Sequence, residues 1–462
     1  MRARLRMHGN DRPKRLSCPT SPIHVNPAAF LGRFSRNPRM DAPAPPRVFI
    51  SAAEQSADEH AAALIRAAQS LMGPIEFEGL AGPAMREAGC ECFHDMTAKS
   101  AMALKALGRV PEALLLMNRL ARHLDSRRFD AAVLVDSPTL HLPMARLFRA
   151  RGIPVLYYIA PQTWAWAPWR NARIAHRVTR MACIWPFEEA YFRGHGIEAT
   201  YVGHPSFDHL LATKVDPARI TALRAGASPV VTLLPGSRRH VVDEVLPGQI
   251  AVAKALSSRF RQLRCVIVAA NETAREQITR QIAGVHLNHE IAIGAEDRAA
   301  AIEASDLVLA ASGTVTLEVA YRGAPMIVMY NHGRWLYTLA GRFLIRLKHL
   351  SIPNILAERA IVPEFMPFYH TVDPIIARAL ELLSTPASLE RMRAELKALI
   401  APMVKPGAAD NTAIELAKVL ALRKPPQQTA ALRQSESASD DESAAAAQPD
   451  SSAVPMASGA GP

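Results

Sequence analysis

Short apolar runs that alternate with longer amphipathic ones, in a series that begins twice, constrain this chain more than any other feature. Val48-Phe-Ile50 leads into a helical pattern from about Asp58 to Leu71. Ala131-Ala-Val-Leu-Val135 leads through Asp136-Ser-Pro138 to a helix near Pro143 to Arg151, and Val155-Leu-Tyr-Tyr-Ile159 follows. The series restarts at Val230-Val-Thr-Leu-Leu234, with Pro235-Gly-Ser-Arg238 and a long helix behind it, then Cys265-Val-Ile-Val268. Asp306-Leu-Val-Leu309 passes through Ser312-Gly-Thr314 into a further helix, and Pro325-Met-Ile-Val-Met329 closes the set. Runs that are apolar throughout suit strands buried on both faces, and strand–helix alternation joins such strands in parallel. The expectation is an α/β protein of two Rossmann-like, doubly wound domains facing a cleft. Residues 47–215 form the first domain, 216–422 the second, and the polar, turn-rich stretch from Asp208 to Ser228 holds the junction.

A chain of 462 residues is long enough for that division. No apolar run approaches the ~18–20 residues a spanning helix needs. Cys18, Cys90, Cys92, Cys183 and Cys265 show neither zinc spacing nor a disulfide framework, which suits a reducing compartment. The net charge of +12 is concentrated at one end, because residues 1–39 carry nine Lys/Arg against Asp11 alone. Residues 1–46 therefore read as a disordered basic extension. An over-extended start ahead of Met40 accounts for it, and so does an arm for anionic lipid or nucleic acid. Residues 423–462, rich in Ser, Ala, Pro and Gln, read as a disordered tail. Basic residues of the folded part are scattered rather than interleaved with aromatics, which argues against base-edge recognition of nucleic acid.

Ligands of open α/β sheets bind outside the carboxyl ends of the strands, and four polar clusters fall there. In Leu233-Leu-Pro-Gly-Ser-Arg238, a Pro-Gly turn opens a helix whose free N–H groups suit a diphosphate. Gly236, Ser237 and Arg238 are the candidate contacts; a plain turn with a surface arginine fits the same residues. Ala311-Ser-Gly-Thr314 repeats the arrangement with Ser312, Gly313 and Thr314, and Glu318 follows one helical turn later, suited to ribose hydroxyls. The alternative is an N-cap with an exposed glutamate. Asp136 ends an apolar strand and is placed to take a proton from an acceptor hydroxyl, or to cap the following turn. Glu54-Gln-Ser56-Ala-Asp58 offers Glu54, Ser56 or Asp58 to an acceptor, with Asp58 equally suited as a helix N-cap.

Taken in order, these clusters and several further motifs resemble the lipid-A-disaccharide synthase family from Val48 to about Leu422. The specific matches are Gly79-Leu-Ala-Gly-Pro83 with Gly89-Cys-Glu91, Tyr158 to Trp166 ending in Trp-Ala-Trp, Pro186-Phe-Glu188 and Val202-Gly-His-Pro205. Leu233 to Arg238, Ala311 to Glu318, Leu350-Ser-Ile-Pro-Asn-Ile355 and Val362-Pro-Glu364 complete them. The resemblance implies an inverting glycosyltransferase of GT-B type, with no metal and no cofactor beyond a UDP-sugar donor. It implies UDP-2,3-diacylglucosamine as donor and 2,3-diacylglucosamine 1-phosphate as acceptor, giving the β-1′,6-linked disaccharide and UDP. Asp136 matches the essential aspartate, with Glu54 and Ser56 beside it as catalytic candidates. Arg238 and Ser312-Gly313-Thr314 would hold the diphosphate, Glu318 the ribose, and Asn354 would complete the nucleotide side. The implied place is the cytoplasmic face of the inner membrane, peripherally attached, with a homodimer left open.

The chain also departs from the family. Ala53 and Ala57 replace two glycines of the first loop, Met102-Ala103 replaces a Met-Gly pair, and a glutamate expected soon after is absent. Thr139 stands for a second aspartate, Asn331 for a basic residue and Met366 for a glutamine. Most of these changes lie in the first half. A paralogue using another membrane acceptor, or a UDP-sugar-binding protein without turnover, therefore stands beside the main reading. A UDP-sugar epimerase is disfavoured by the first-half matches. Two segments, Met102 to Leu124 and Arg334 to His349, interleave apolar and basic residues as a helix lying on a membrane surface does; a core-facing helix with a solvated basic face has the same pattern.

Overall fold

The computed structural model describes residues 44–95, 110–330 and 349–422. Seven strands form the first sheet: β1 (Arg47–Ala52), β2 (Glu76–Leu80), β3 (Glu91–His94), β4 (Ala131–Val135), β5 (Val155–Tyr158), β6 (Arg180–Cys183) and β7 (Ala199–Tyr201). Their order is β3-β2-β1-β4-β5-β6-β7. Six more form the second: β8 (Val230–Leu234), β9 (Arg264–Ala269), β10 (His289–Ile293), β11 (Leu307–Ala311), β12 (Met326–Met329) and β13 (Glu364–Phe365), in the order β10-β9-β8-β11-β12-β13. Every strand pair is parallel, with Ile50 opposite Val133 in one sheet and Leu309 opposite Leu233 in the other. Both sheets thus reverse direction beside their first strand, the arrangement of a doubly wound fold.

Burial follows from covering both faces. All five residues of β4, β8 and β11 are buried. Helices Val110–Ser126, Pro138–Ala150 and Asn171–Arg177 cover one face of the first sheet, inserting Leu116, Leu120, Phe148 and Ile174. Helix Gln55–Met72 covers the other with Ala61, Leu64, Ile65 and Ala68. The helix expected near Pro143 begins at Pro138 instead. Proline is tolerated in the first turn, where its missing N–H is not needed, so Pro138 opens the helix and Pro143 sits within it.

The motifs of the first half prove to be packing devices. Asp58 caps a helix other than its own: its carboxylate accepts from Gly82 N and Ala84 N at 2.9 Å each and from Met85 N at 3.2 Å, at the start of helix Pro83–Glu87. Gly79 lets β2 approach β1, since a Cβ there would lie 1.7 Å from the Ile50 carbonyl oxygen. The last helix, Ala408–Leu420, crosses back onto the first domain and packs on helix Gln55–Met72. Asp208 caps that helix by accepting from Gly407 N (2.7 Å) and Ala408 N (2.8 Å), and Arg180 pairs with its buried Glu415 at 2.7 Å. Tyr201 Oη donates to Met403 O (2.7 Å) and Asn411 to Val202 O (2.9 Å), so Val202-Gly-His-Pro205 is where the chain's return is fastened.

Asp58→Ala leaves three N–H groups without their acceptor inside the first domain and should cost about 2 kcal/mol or more. Urea unfolding reads this as a lower midpoint; Asp58→Asn, which keeps one acceptor oxygen, should lose less. A midpoint unchanged in the alanine variant would refute the capping role.

Candidate active site

The two sheets aim the carboxyl ends of their strands at one cleft of about 860 Å³. From the first domain Ser56, His60, Asp136, Ile159, Trp185 and His204 reach it; from the second come Gly236, Ser237, Arg238, Ser312, Gly313, Thr314 and Glu318. Ser56, His60 and Asp136 lie beyond β1 and β4, and the second-domain residues beyond β8 and β11, the neighbouring strands at which each sheet reverses; Ile159, Trp185 and His204 follow β5, β6 and β7. A parallel sheet offers a crevice there because adjacent connections leave on opposite faces.

On the second side, Gly236 adopts φ +105°, and a Cβ would meet Val241 Cγ1 at 2.8 Å. The tight turn sets Arg238 at the N-cap of helix Arg239–Arg259, whose positive end opens onto the cleft. Glu318, 6% exposed, accepts at Oε2 from Arg298 Nε at 2.7 Å and faces Arg322 Nε at 3.5 Å through Oε1. Across the cleft, Glu54 Oε2 stands 3.8 Å from an Arg238 terminal nitrogen. Both side chains are partly exposed, so this pair contributes at most ~1 kcal/mol.

On the first side, Asp136 and Ser137 take φ values of 55° and 44°, and Ile159 beside them takes 65°. Left-handed backbone is costly for residues with a Cβ, most of all a β-branched one. Hydrogen bonds hold the turn: Tyr157 Oη donates to the Asp136 carbonyl oxygen at 2.6 Å and His141 Nδ1 to the same atom at 2.7 Å. Because that carbonyl only accepts, His141 carries its proton on Nδ1, and Nε2 accepts from Ser51 Oγ at 2.8 Å. The Asp136 backbone is thereby anchored while its half-buried side chain belongs to the cleft wall. Ala53 and Ala57 lie outside the left-handed region, so neither alanine strains the first loop.

A buried carboxylate shapes the neighbouring wall. Glu188 accepts from Trp164 Nε1 (3.1 Å) and from Ile184 N and Trp185 N (3.2 Å each), and burial pushes it up to about 7 against those donors. Trp185 packs on His204 with ring centroids 4.7 Å apart. The Trp-Ala-Trp and Pro-Phe-Glu motifs are therefore two halves of one clamp.

Asn354 is placed elsewhere than expected. It is fully buried, accepts from Ile361 N (2.8 Å) and Val362 N (3.0 Å), and donates to Val362 O (2.9 Å) and Glu364 (3.0 Å). Its amide has no capacity left for a nucleotide. Glu364 also accepts from Ser351 N and Oγ, so Leu350–Ile355 and Val362–Glu364 lock onto each other and present Ile352 to the cleft. Asp58, occupied with its cap, is likewise absent from the cleft wall. His60, His141 and Arg298 escaped the sequence reading, and His204 entered it only within the Val202-Gly-His-Pro205 motif. His141 sits among apolar helix positions and Arg298 amid alanines, and neither pattern marks a long-range partner.

Residues 48–406 match the family model for Lipid-A-disaccharide synthetase. The chain is 34% identical over 380 residues to the lipid-A-disaccharide synthase of Anaeromyxobacter sp. (strain K), across 81% of this chain and 97% of that one. It is 33% identical over 380 residues to the enzyme of the same description from Myxococcus xanthus (strain DK1622), across 81% and 98%. Among solved structures, S. aureus MnaA in complex with UDP superposes with a TM-score of 0.54 at 12% identity, over 82% of this chain and 99% of that one. The calicheamicin glycosyltransferase CalG4 does so with a TM-score of 0.52 at 13%, over 83% and 100%. At these identities the structural likeness concerns the fold, the GT-B architecture of two facing doubly wound domains.

Burial lowers the His60 and His141 imidazoles to about 4, and burial with His60 nearby lowers His204 to about 3. Their ordinary value is 6.5, so below that pH the unfolded chain binds protons that the folded chain refuses. Stability should fall as the pH is lowered from about 6.5 toward 4, by roughly 1 kcal/mol per imidazole at pH 5.5. Urea unfolding at pH 7.5 and 5.5 checks this. His141→Asn, which keeps a donor for the Asp136 carbonyl, should narrow the difference between the two pH values; an unchanged difference would mean His141 is not held neutral.

Proposed function

The chain belongs to the lipid-A-disaccharide synthetase family, and from that premise we propose that it condenses UDP-2,3-diacylglucosamine with 2,3-diacylglucosamine 1-phosphate. The acceptor hydroxyl oxygen attacks the donor's anomeric carbon, its proton passes to Asp136, and the carbon–oxygen bond to UDP breaks on the opposite face. The products are the β-1′,6-linked disaccharide and UDP, with inversion. What supports this reading is one juxtaposition: Asp136 on a braced, strained turn of one domain, opposite the two phosphate-type turns of the other, in a single cleft.

The roles divide by domain. Gly236, Ser237 and Arg238, with Ser312, Gly313 and Thr314, hold the diphosphate and stabilise the charge that grows on it as the bond breaks, a contribution of ~3 kcal/mol for one well-placed donor. Glu318 receives the ribose hydroxyls. Ser56 and Glu54, at the head of helix Gln55–Met72, border the acceptor, and Glu54 releases Arg238 as the diphosphate arrives. No metal enters the scheme, since arginine and helix-end N–H groups meet the diphosphate.

We further propose that the chain works at a membrane surface, as two lipid-bearing sugars require. No helix among the described residues is long and apolar enough to cross a membrane. On helix Val110–Ser126, Leu116, Leu120 and Leu124 face the core while Leu114 and Leu115 are exposed, and Leu115, Arg119 and Arg122 share the outer face. Residues 96–109 and 331–348, which take in the start of the Met102–Leu124 segment and all of the Arg334–His349 segment but His349, lie outside the described residues.

UDP release from the donor, with and without the acceptor, tests the reaction. Release should require the acceptor, and Asp136→Ala should cut it a hundredfold or more while UDP-sugar binding is kept. Arg238→Ala should weaken UDP binding itself. Binding without release in the unaltered chain would reject this acceptor. Leu114→Asp with Leu115→Asp should reduce co-sedimentation with anionic vesicles; undiminished binding would remove this face as the contact.

A further inference from the structure

Arg298 lines the cleft but takes no part in the scheme above, and its surroundings give it a specific task. It lies on helix Ala295–Ala304, whereas Glu318 lies on helix Val315–Tyr321. Its Nε meets Glu318 Oε2 at 2.7 Å, and its terminal nitrogens bond none of the described residues. The other oxygen of Glu318 is drawn by Arg322, one helical turn farther along the same helix. Arg322 is 4% exposed at its side chain, pairs also with Glu303, and is absent from the cleft wall. The two arginines therefore pull the carboxylate in different directions. Arg322 holds one oxygen from farther along the same helix, and Arg298 holds the other from the cleft wall.

We infer that Arg298 is the positioning residue that turns Glu318 toward the ribose diol, making the cleft selective for a ribonucleoside diphosphate. Each carboxylate oxygen accepts at two sites, and one arginine per oxygen leaves the second site of each for a hydroxyl. Without Arg298, the carboxylate keeps its Arg322 partner and leaves the cleft. This inference rests on the proposed function, and specifically on a UDP donor.

Calorimetric titration of the full chain with UDP and with its 2′,3′-dideoxy analogue separates the possibilities. The unaltered chain should prefer UDP by about tenfold or more, the worth of one or two hydrogen bonds to a charged group. Arg298→Ala should remove most of that preference by weakening UDP while leaving the dideoxy analogue nearly as before. Glu318→Gln, with Arg298 in place, should do the same and serves if the alanine variant fails to fold. Equal weakening of both nucleotides by Arg298→Ala would overturn the inference and make Arg298 a direct contact to phosphate or base. An intact preference in either variant would overturn it as well. An unaltered chain that binds neither nucleotide would fail the donor reading itself, a result separable from loss of preference.

Discussion

A parallel sheet covered on both faces has one place left for polar chemistry, the ends of its strands. Here both sheets obey that constraint. Strands β4, β8 and β11 are buried along their whole length, and the charged and hydroxyl groups collect immediately beyond them. Because each sheet reverses beside its first strand, those ends open into a crevice rather than under a helix. Setting one crevice against the other makes a cleft in which a wall of helix ends with Arg238 faces a wall carrying Asp136.

The two walls stay in register because buried and half-buried carboxylates tie distant segments together. Asp208 reaches Gly407 and Ala408, Glu415 reaches Arg180, Glu188 joins Trp164 to the end of β6, and Glu364 joins Ser351 and Asn354 to β13. Each carboxylate receives several N–H donors or an arginine, which offsets the cost of burying it. Many motifs that carry the family resemblance are such clamps. Their residues shape and fasten the cleft.

Left-handed backbone at non-glycine residues gathers at the carboxylate wall, with Glu358 the exception among the described residues. Asp136, Ser137 and Ile159 all occupy left-handed backbone, and Tyr157 and His141 both bond the Asp136 carbonyl to keep it there. An arrangement that costs energy and is braced from two sides presents one side chain in one direction, which the proton transfer proposed for Asp136 requires.

How much of this was legible in the chain depended on the distance over which each determinant acts. The strand–helix alternation, the glycine turns at Gly236 and Gly313 and the strand-end position of Asp136 are local patterns, fixed by the backbone and by neighbours a few residues away, and the sequence by itself determined them. The partners of the polar side chains were not local. Asp58 finds its acceptor role 24 residues away at Gly82, Asp208 at Gly407, and Arg298 at a helix that follows another strand. Asp58 and Asn354 have the same composition-level credentials as Asp136 and Glu318, yet packing spends the first pair on clamps and leaves the second pair on the cleft wall. Only the tertiary structure decides that, because a hydrogen bond is satisfied by whichever group folding brings within about 3 Å, and no spacing along the chain encodes it.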